Sequence, residues 1–159
     1  MQIRLIFPLL FTIFLTACGN PPPEKAIIGT WVQANPTSTT QAGVQATTSD
    51  TVLTFEKDGD VRLRRQLDLR GAGFPETGVG VDVDLSGQWR MEGDALFQTL
   101  ENSIVTARTS DQASMEIARQ LQDQSGTMSE SQKRIIALDR EQLMLQDLET
   151  GVTDVYRRR

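Results

Sequence analysis

From residue 26 onward, apolar and polar positions alternate with a period close to two, the spacing of a strand with one buried and one wet face. Residues 27–33 read as a first strand containing Gly29, Thr30 and Trp31. Residues 51–56 read as a second, with Leu53 and Phe55 on one face. Asp58-Gly59 follows as a hairpin signal, since a type I′ turn needs positive φ at both central residues. The third strand places Val61, Leu63, Leu67 and Leu69 on one face, against Arg62, Arg64, Gln66 and Asp68 on the other. The longest alternation is Val79, Val81, Val83, Leu85, Gly87, Trp89, Met91, interleaved with Gly80, Asp82, Asp84, Ser86, Gln88, Arg90 and Glu92. Antiparallel sheets show this one-sided pattern. Gly93-Asp94 turns the chain into residues 95–101, and residues 132–138, 142–148 and 152–157 bring the expected strands to eight.

One stretch departs from period two. Residues 110–124 carry Met115, Ala118, Leu121 and Gln122 at helical spacing, with Thr109 or Ser110 able to cap the start and Gly126 to end it. The expected architecture is therefore mainly β: an antiparallel up-and-down eight-stranded barrel with one helix inserted between strands five and six. Closing a barrel removes exposed strand edges. A twisted open sheet with the helix on one face is the alternative. The polar residues 34–50 read as a long loop.

The first 25 residues follow other rules. Arg4 precedes a nearly continuous apolar run, residues 5–17, about 13 residues long, where a bilayer-spanning helix needs roughly 20. The run has the size of a signal-peptide hydrophobic region. It ends in Leu15-Thr16-Ala17-Cys18, which resembles the lipobox of bacterial lipoproteins. The resemblance implies cleavage before Cys18, lipidation of that residue through diacylglycerol and N-acylation, and, with Gly19 next, sorting to the outer membrane. More than one acyl chain makes such anchoring stable. The expected organisation is a signal peptide over residues 1–17, a lipidated Cys and Pro-rich tether over 18–25, and a barrel domain over 26–159. Pro21-Pro22-Pro23 favours an extended spacer.

Composition narrows the chemistry. Cys18 is the only cysteine, so the domain has no disulfide of its own. There is no His, which removes the commonest general base and metal ligand and rules out a Ser–His triad. The net charge of −5 argues against nucleic acid as a partner. Glu56-Lys57-Asp58-Gly59-Asp60 is similar to the start of a calcium loop. However, its Gly stands fourth instead of sixth, and Leu67 occupies the place of the bidentate Glu, so no metal is expected. No carboxylate pair stands out for catalysis and no cofactor is implied; the chain is read as a non-enzyme.

A second resemblance rests on short motifs. Gly29-Thr30-Trp31 is similar to the Gly-x-Trp that opens lipocalin-type barrels. Residues 54–59 and Ser86-Gly87-Gln88-Trp89 resemble the strand-two turn and mid-barrel strand of small bacterial lipocalin-like domains. The closing Val155-Tyr156-Arg157 is similar to their last strand, where a late Arg stacks on the first-strand Trp. The resemblance makes Gly29, Trp31 and Arg157 the barrel-closing set, through a cation–π contact. It also makes residues 34–50 a lid over the calyx. The helix position and the missing mid-sequence signature depart from classical transport lipocalins.

Candidate ligand-lining residues are Trp31, Phe55 and Trp89, each of which also suits a core position. Arg65 falls on the inward face of the third strand by strict alternation, where it can neutralise a carboxylate ligand or sit at a bulge or rim. The tail Arg157-Arg158-Arg159 is solvated or touches anionic lipid or a partner. The expectation is an outer-membrane-anchored, periplasm-facing lipoprotein, with the lipid anchor as its contact with the membrane. In one reading it is a binding module for a small apolar or amphipathic ligand. In the other it is a solid-core interaction protein that docks an envelope protein partner, a role that includes protease inhibition.

Overall fold

The computed structural model describes residues 22–125 and 129–159. The expected signal segment, Cys18 and the helix-ending Gly126 lie outside them. The elements run α1 (Pro23–Ala26), β1 (Gly29–Gln33), β2 (Thr37–Gln41), β3 (Val44–Phe55), β4 (Asp60–Gly71), β5 (Val79–Glu92), β6 (Ala95–Ala107), α2 (Gln112–Gln124), β7 (Ser129–Leu138), β8 (Gln142–Asp147) and β9 (Thr153–Arg158).

All neighbouring strands pair antiparallel, in the order β1-β9-β8-β7-β6-β5-β4-β3-β2, and β1 pairs back onto β3. Eight strands thus form a closed barrel, and β2 is an additional ninth. The open-sheet alternative is excluded by the double pairing of β1, which joins Trp31 to Leu53 on β3 and to Arg158 on β9.

Residues 34–50, expected as a loop and lid, instead form β2 and the first half of β3. Thr37, Thr39, Thr40, Thr47 and Thr48 are β-branched and favour strand backbone. Ala42 and Gly43 both take left-handed φ, 50° and 78°, as a tight hairpin turn requires. This extra strand shifts the count by one, so the helix lies between β6 and β7. At Asp58-Gly59 the turn is also of another type. Gly59 has φ 94° but Asp58 is not left-handed, and the Gly59 amide donates to the Glu56 carbonyl. At the N-terminus, Pro23 opens a single helical turn where continued spacer was expected; its fixed φ suits that position.

The barrel is only part of the sheet. Strands β3 to β6 are 12 to 14 residues long, whereas β1, β8 and β9 have 5 or 6. The long strands run past the barrel mouth as a wing. Two bulges mark the departure: one in β3 between Ser49 and Val52, where pairing to β1 stops, and one between β5 and β6 at Ser86/Gly87, beside the end of pairing to β7. Bulges bend strands and raise local twist.

Two apolar cores result. Ile27, Trp31, Leu53, Phe55, Val61, Leu96, Leu143, Leu145 and Tyr156 fill the barrel. Val79, Val81 and Val83 of the wing pack under α2 through Ala118, with Ile117 and Leu121 beside it. Met115, expected on the packed stripe, is 47% exposed. The helix also covers the β6 edge that β7 leaves free. The Gln122 side chain accepts from the Val105 amide (2.7 Å) and donates to the Ser103 carbonyl (2.8 Å), as a neighbouring strand would.

Asp111, rather than Thr109 or Ser110, caps α2 by accepting from the Ser114 amide at 2.9 Å. Bonds from the Ser114 hydroxyl, then the Thr109 hydroxyl and the Ser114 amide, hold its carboxyl down at about 2, from an ordinary 3.8. A depressed carboxyl stabilises the fold above its unfolded value and loses that contribution as pH falls through the folded one. Acidification from about pH 4 to pH 2 is therefore expected to loosen α2 from the wing, read from the Ala118 methyl resonance. In Asp111→Ala the same titration should move that resonance far less.

Candidate functional site

The barrel interior is the first place to look for a site. Trp31 is fully buried on β1, with its indole Nε1 donating to the Ile27 carbonyl at 2.7 Å. Phe55 is 1% exposed and meets Trp89 edge-on, with ring centroids 5.4 Å apart. Trp89 is half-buried and donates to the Glu56 carbonyl at 3.1 Å. Trp31 and Phe55 therefore lie in the barrel core, and Trp89, packed against it, also lines an open pocket of about 890 Å³ with Ile28, Lys57 and Met91. Leu96, Leu143 and Leu145 complete the filling.

Closure of this end uses Arg158. Its guanidinium stacks 4.1 Å over the Trp31 ring and donates to the carbonyls of Arg140 (2.8 Å), Ile28 (2.9 Å) and Ala26. Arg157, the residue the lipocalin resemblance pointed to, is exposed. The reason is parity: Tyr156 points inward on β9, so Arg158 shares its face and Arg157 does not. Gly29 belongs to the set. A Cβ there would stand 2.5 Å from the Arg158 guanidinium, and its φ is 136°.

The inner face changes character toward the opposite end. Along β4 the inward residues read Val61, Leu63, Arg65, Leu67, Leu69, one cation in an apolar row. Arg65 pairs with Val83 on β5 and stands opposite the β3 bulge that holds Asp50 and Thr51. Its Nε is buried with no hydrogen-bond partner, and so are the hydroxyls of Thr51 and Ser103. Burial lowers the proton affinity of Arg65. Burial likewise pushes the Tyr156 phenol well above its ordinary value, with Asp154 adding to the shift and Arg65 opposing it. Asp154 accepts from the Gln33 amide at 2.9 Å, and Lys133 pairs with Asp147 at 3.4 Å. Arg65 faces inward and sits at the mouth beside a bulge. Sequence reading singled out only Arg65 of this layer; the parity that places Arg158 inward also finds Tyr156.

Outside the wall, an open groove of about 660 Å³ crosses the wing strands. Val52, Thr54, Arg62, Arg64, Asp84, Gln88, Glu101 and Ile104 line it, with Arg159 at one end. Arg64 pairs with Asp84 at 2.7 Å and Arg62 with Glu56 at 3.3 Å. Ile104 is 62% exposed. At the β3–β4 turn, Glu56, Asp58 and Asp60 bring carboxylate oxygens within 4.8 Å of one another. All three already have partners, Arg62 on Glu56, the Asp60 backbone amide on Asp58 and the Gln88 amide on Asp60, so the turn is an engaged acidic surface.

No protein-family model matches this chain, and no curated protein matches it.

Replacing Arg158 with Met is expected to cost about 2–3 kcal/mol, since it removes charge-assisted bonds to three carbonyls and a cation–π contact. Arg157→Met should change stability by under about 0.5 kcal/mol, as exposed positions do. Denaturant unfolding of the two variants side by side checks the assignment.

Proposed function

We propose that this chain is an outer-membrane lipoprotein, anchored through Cys18 and facing the periplasm, whose lipocalin-like barrel is a filled scaffold that docks an envelope protein partner. The observation that carries this reading is the filling of the barrel: Trp31 and Phe55, which would line a calyx, are its core, and Trp89 packs against it. It works by binding and not by catalysis, since the chain has no His and, among the described residues, the inward polar groups form no nucleophile–base pair.

The attachment of α1 supports the geometry of such a scaffold. The Arg158 bonds to the Ala26 and Ile28 carbonyls fix α1 to the closed barrel end. Only four residues lie between Cys18 and that helix, and the five steps from Cys18 to Pro23 span at most roughly 18 Å of extended chain. The closed end is then held near the lipid, and the wing leaves the barrel from the other end. The outer groove carries an exposed apolar side chain, Ile104, on its β6 flank beside residues of both charge signs, a mixed surface that suits a protein partner. A small-ligand role has one observation in its favour, the unpartnered Arg65 at the mouth.

Two measurements test the proposal. Metabolic labelling with an alkynyl palmitate analogue is expected to mark the wild-type chain and leave Cys18→Ser unmarked; equal labelling overturns the anchor. A photo-crosslinking residue at position 104 of the full chain in intact cells is expected to give one discrete protein adduct. The same residue at Arg140, on the closed end, should not give that adduct, and identical adducts from both positions overturn the docking surface.

A further inference from the structure

We propose that the inner face of the barrel mouth binds an amphipathic anion, a carboxylate on a short apolar body, with Arg65 taking the charge. This site is separate from the outer groove and goes beyond the docking role.

A guanidinium drawn out of water without a counter-charge is destabilising by several kcal/mol. Arg65 comes part of the way to that condition: its Nε is enclosed and unpartnered, and no ion pair among the described residues includes it. Its place in the fold sharpens the point. Leu63 below it belongs to the barrel core and Leu67 above it to the wing core, so the charge sits at the joint between two apolar bodies. An apolar side chain there would merge the two cores, so an anion is the missing element that the position calls for.

The surroundings define what the anion is attached to. Val83 and Leu85 on β5, with Leu63 and Leu67 on β4, give apolar walls on both sides of the guanidinium. The hydroxyls of Thr51 on β3 and Ser103 on β6 are buried and unpartnered on the strands that flank this pair, and each can donate to a second oxygen. A planar guanidinium fork matches a carboxylate in two-point contact. The barrel depth is closed by Phe55 and Trp31, so the apolar body lies across the mouth and does not run down the axis. That limits its length and favours a short chain. Arg65 is only half-buried as a residue, which leaves its outer nitrogens within reach from the mouth.

The test uses the full chain in phosphatidylcholine nanodiscs, with empty discs as the blank. Octanoate, octan-1-ol, octyltrimethylammonium and acetate are titrated by calorimetry into the wild type, Arg65→Met and Arg65→Lys. Saturable octanoate binding to the wild type is expected, at least tenfold tighter than the other three probes. Arg65→Met should lose at least tenfold, and Arg65→Lys should fall between. Thermal unfolding of Arg65→Met without ligand should come no earlier than for the wild type, which separates a lost site from a lost fold. Equal octanoate affinity in the wild type and Arg65→Met overturns the proposal, and so does octan-1-ol binding as tightly as octanoate. Acetate matching octanoate overturns the amphipathic part, because the site would then read charge alone. Absence of saturable binding by any probe overturns it entirely, whatever the crosslinking at position 104 shows.

Discussion

The architecture depends on a strand of five residues. β1 is no longer than the peripheral β2, yet it closes the barrel, pairing on one side with β9 and on the other with β3. So few backbone bonds do not fix a strand by themselves. The side chains supply the rest: Trp31 is buried in the core, Arg158 stacks on it and reaches three carbonyls, and Gly29 leaves room for that guanidinium. One cation therefore joins the first strand, the last strand, α1 and the β7–β8 turn. Removing it frees both chain ends at once.

Past the closed barrel, the sheet must manage its edges. β3 and β6 each leave the barrel at a bulge, which lets one strand belong to the barrel through one half and to the wing through the other. At one edge the extra strand β2 pairs onto β3. At the other, the Gln122 amide stands in for a strand on β6. The helix that provides this cap also buries the wing valines, so the wing has its own core and does not lean on the barrel for one.

These two cores set the functional question. A barrel filled by Trp31, Phe55 and four leucines leaves its depth to packing. Polar chemistry is pushed outward, to the mouth layer around Arg65 and Tyr156 and to the outer groove around Ile104. The same β4 strand serves both, through Arg65 on its inner face and Arg62 and Arg64 on its outer face, because successive side chains alternate.

Much of this was legible in the chain. Period-two alternation along 61–69 and 79–91 determined β4, β5 and their buried faces, because a half-buried strand admits little else. The helix was legible from its spacing, and Gly29 and Trp31 were legible as a closing pair. The hairpin at 37–48 was not: its strands are Thr-rich and largely exposed, so no apolar alternation announces them, and only pairing to β4 across the sheet selects strand over loop. Arg158 over Arg157 was decided by the register of β9, since a one-residue difference in parity sends a side chain to the opposite face. The sequence by itself determined the strands with an apolar face and which of their faces avoid water, because those follow from local periodicity. Only the tertiary structure decided that the barrel is filled, that the long strands outrun it as a wing, and that Arg65 falls between two cores, because those depend on how strands of unequal length meet across the sheet.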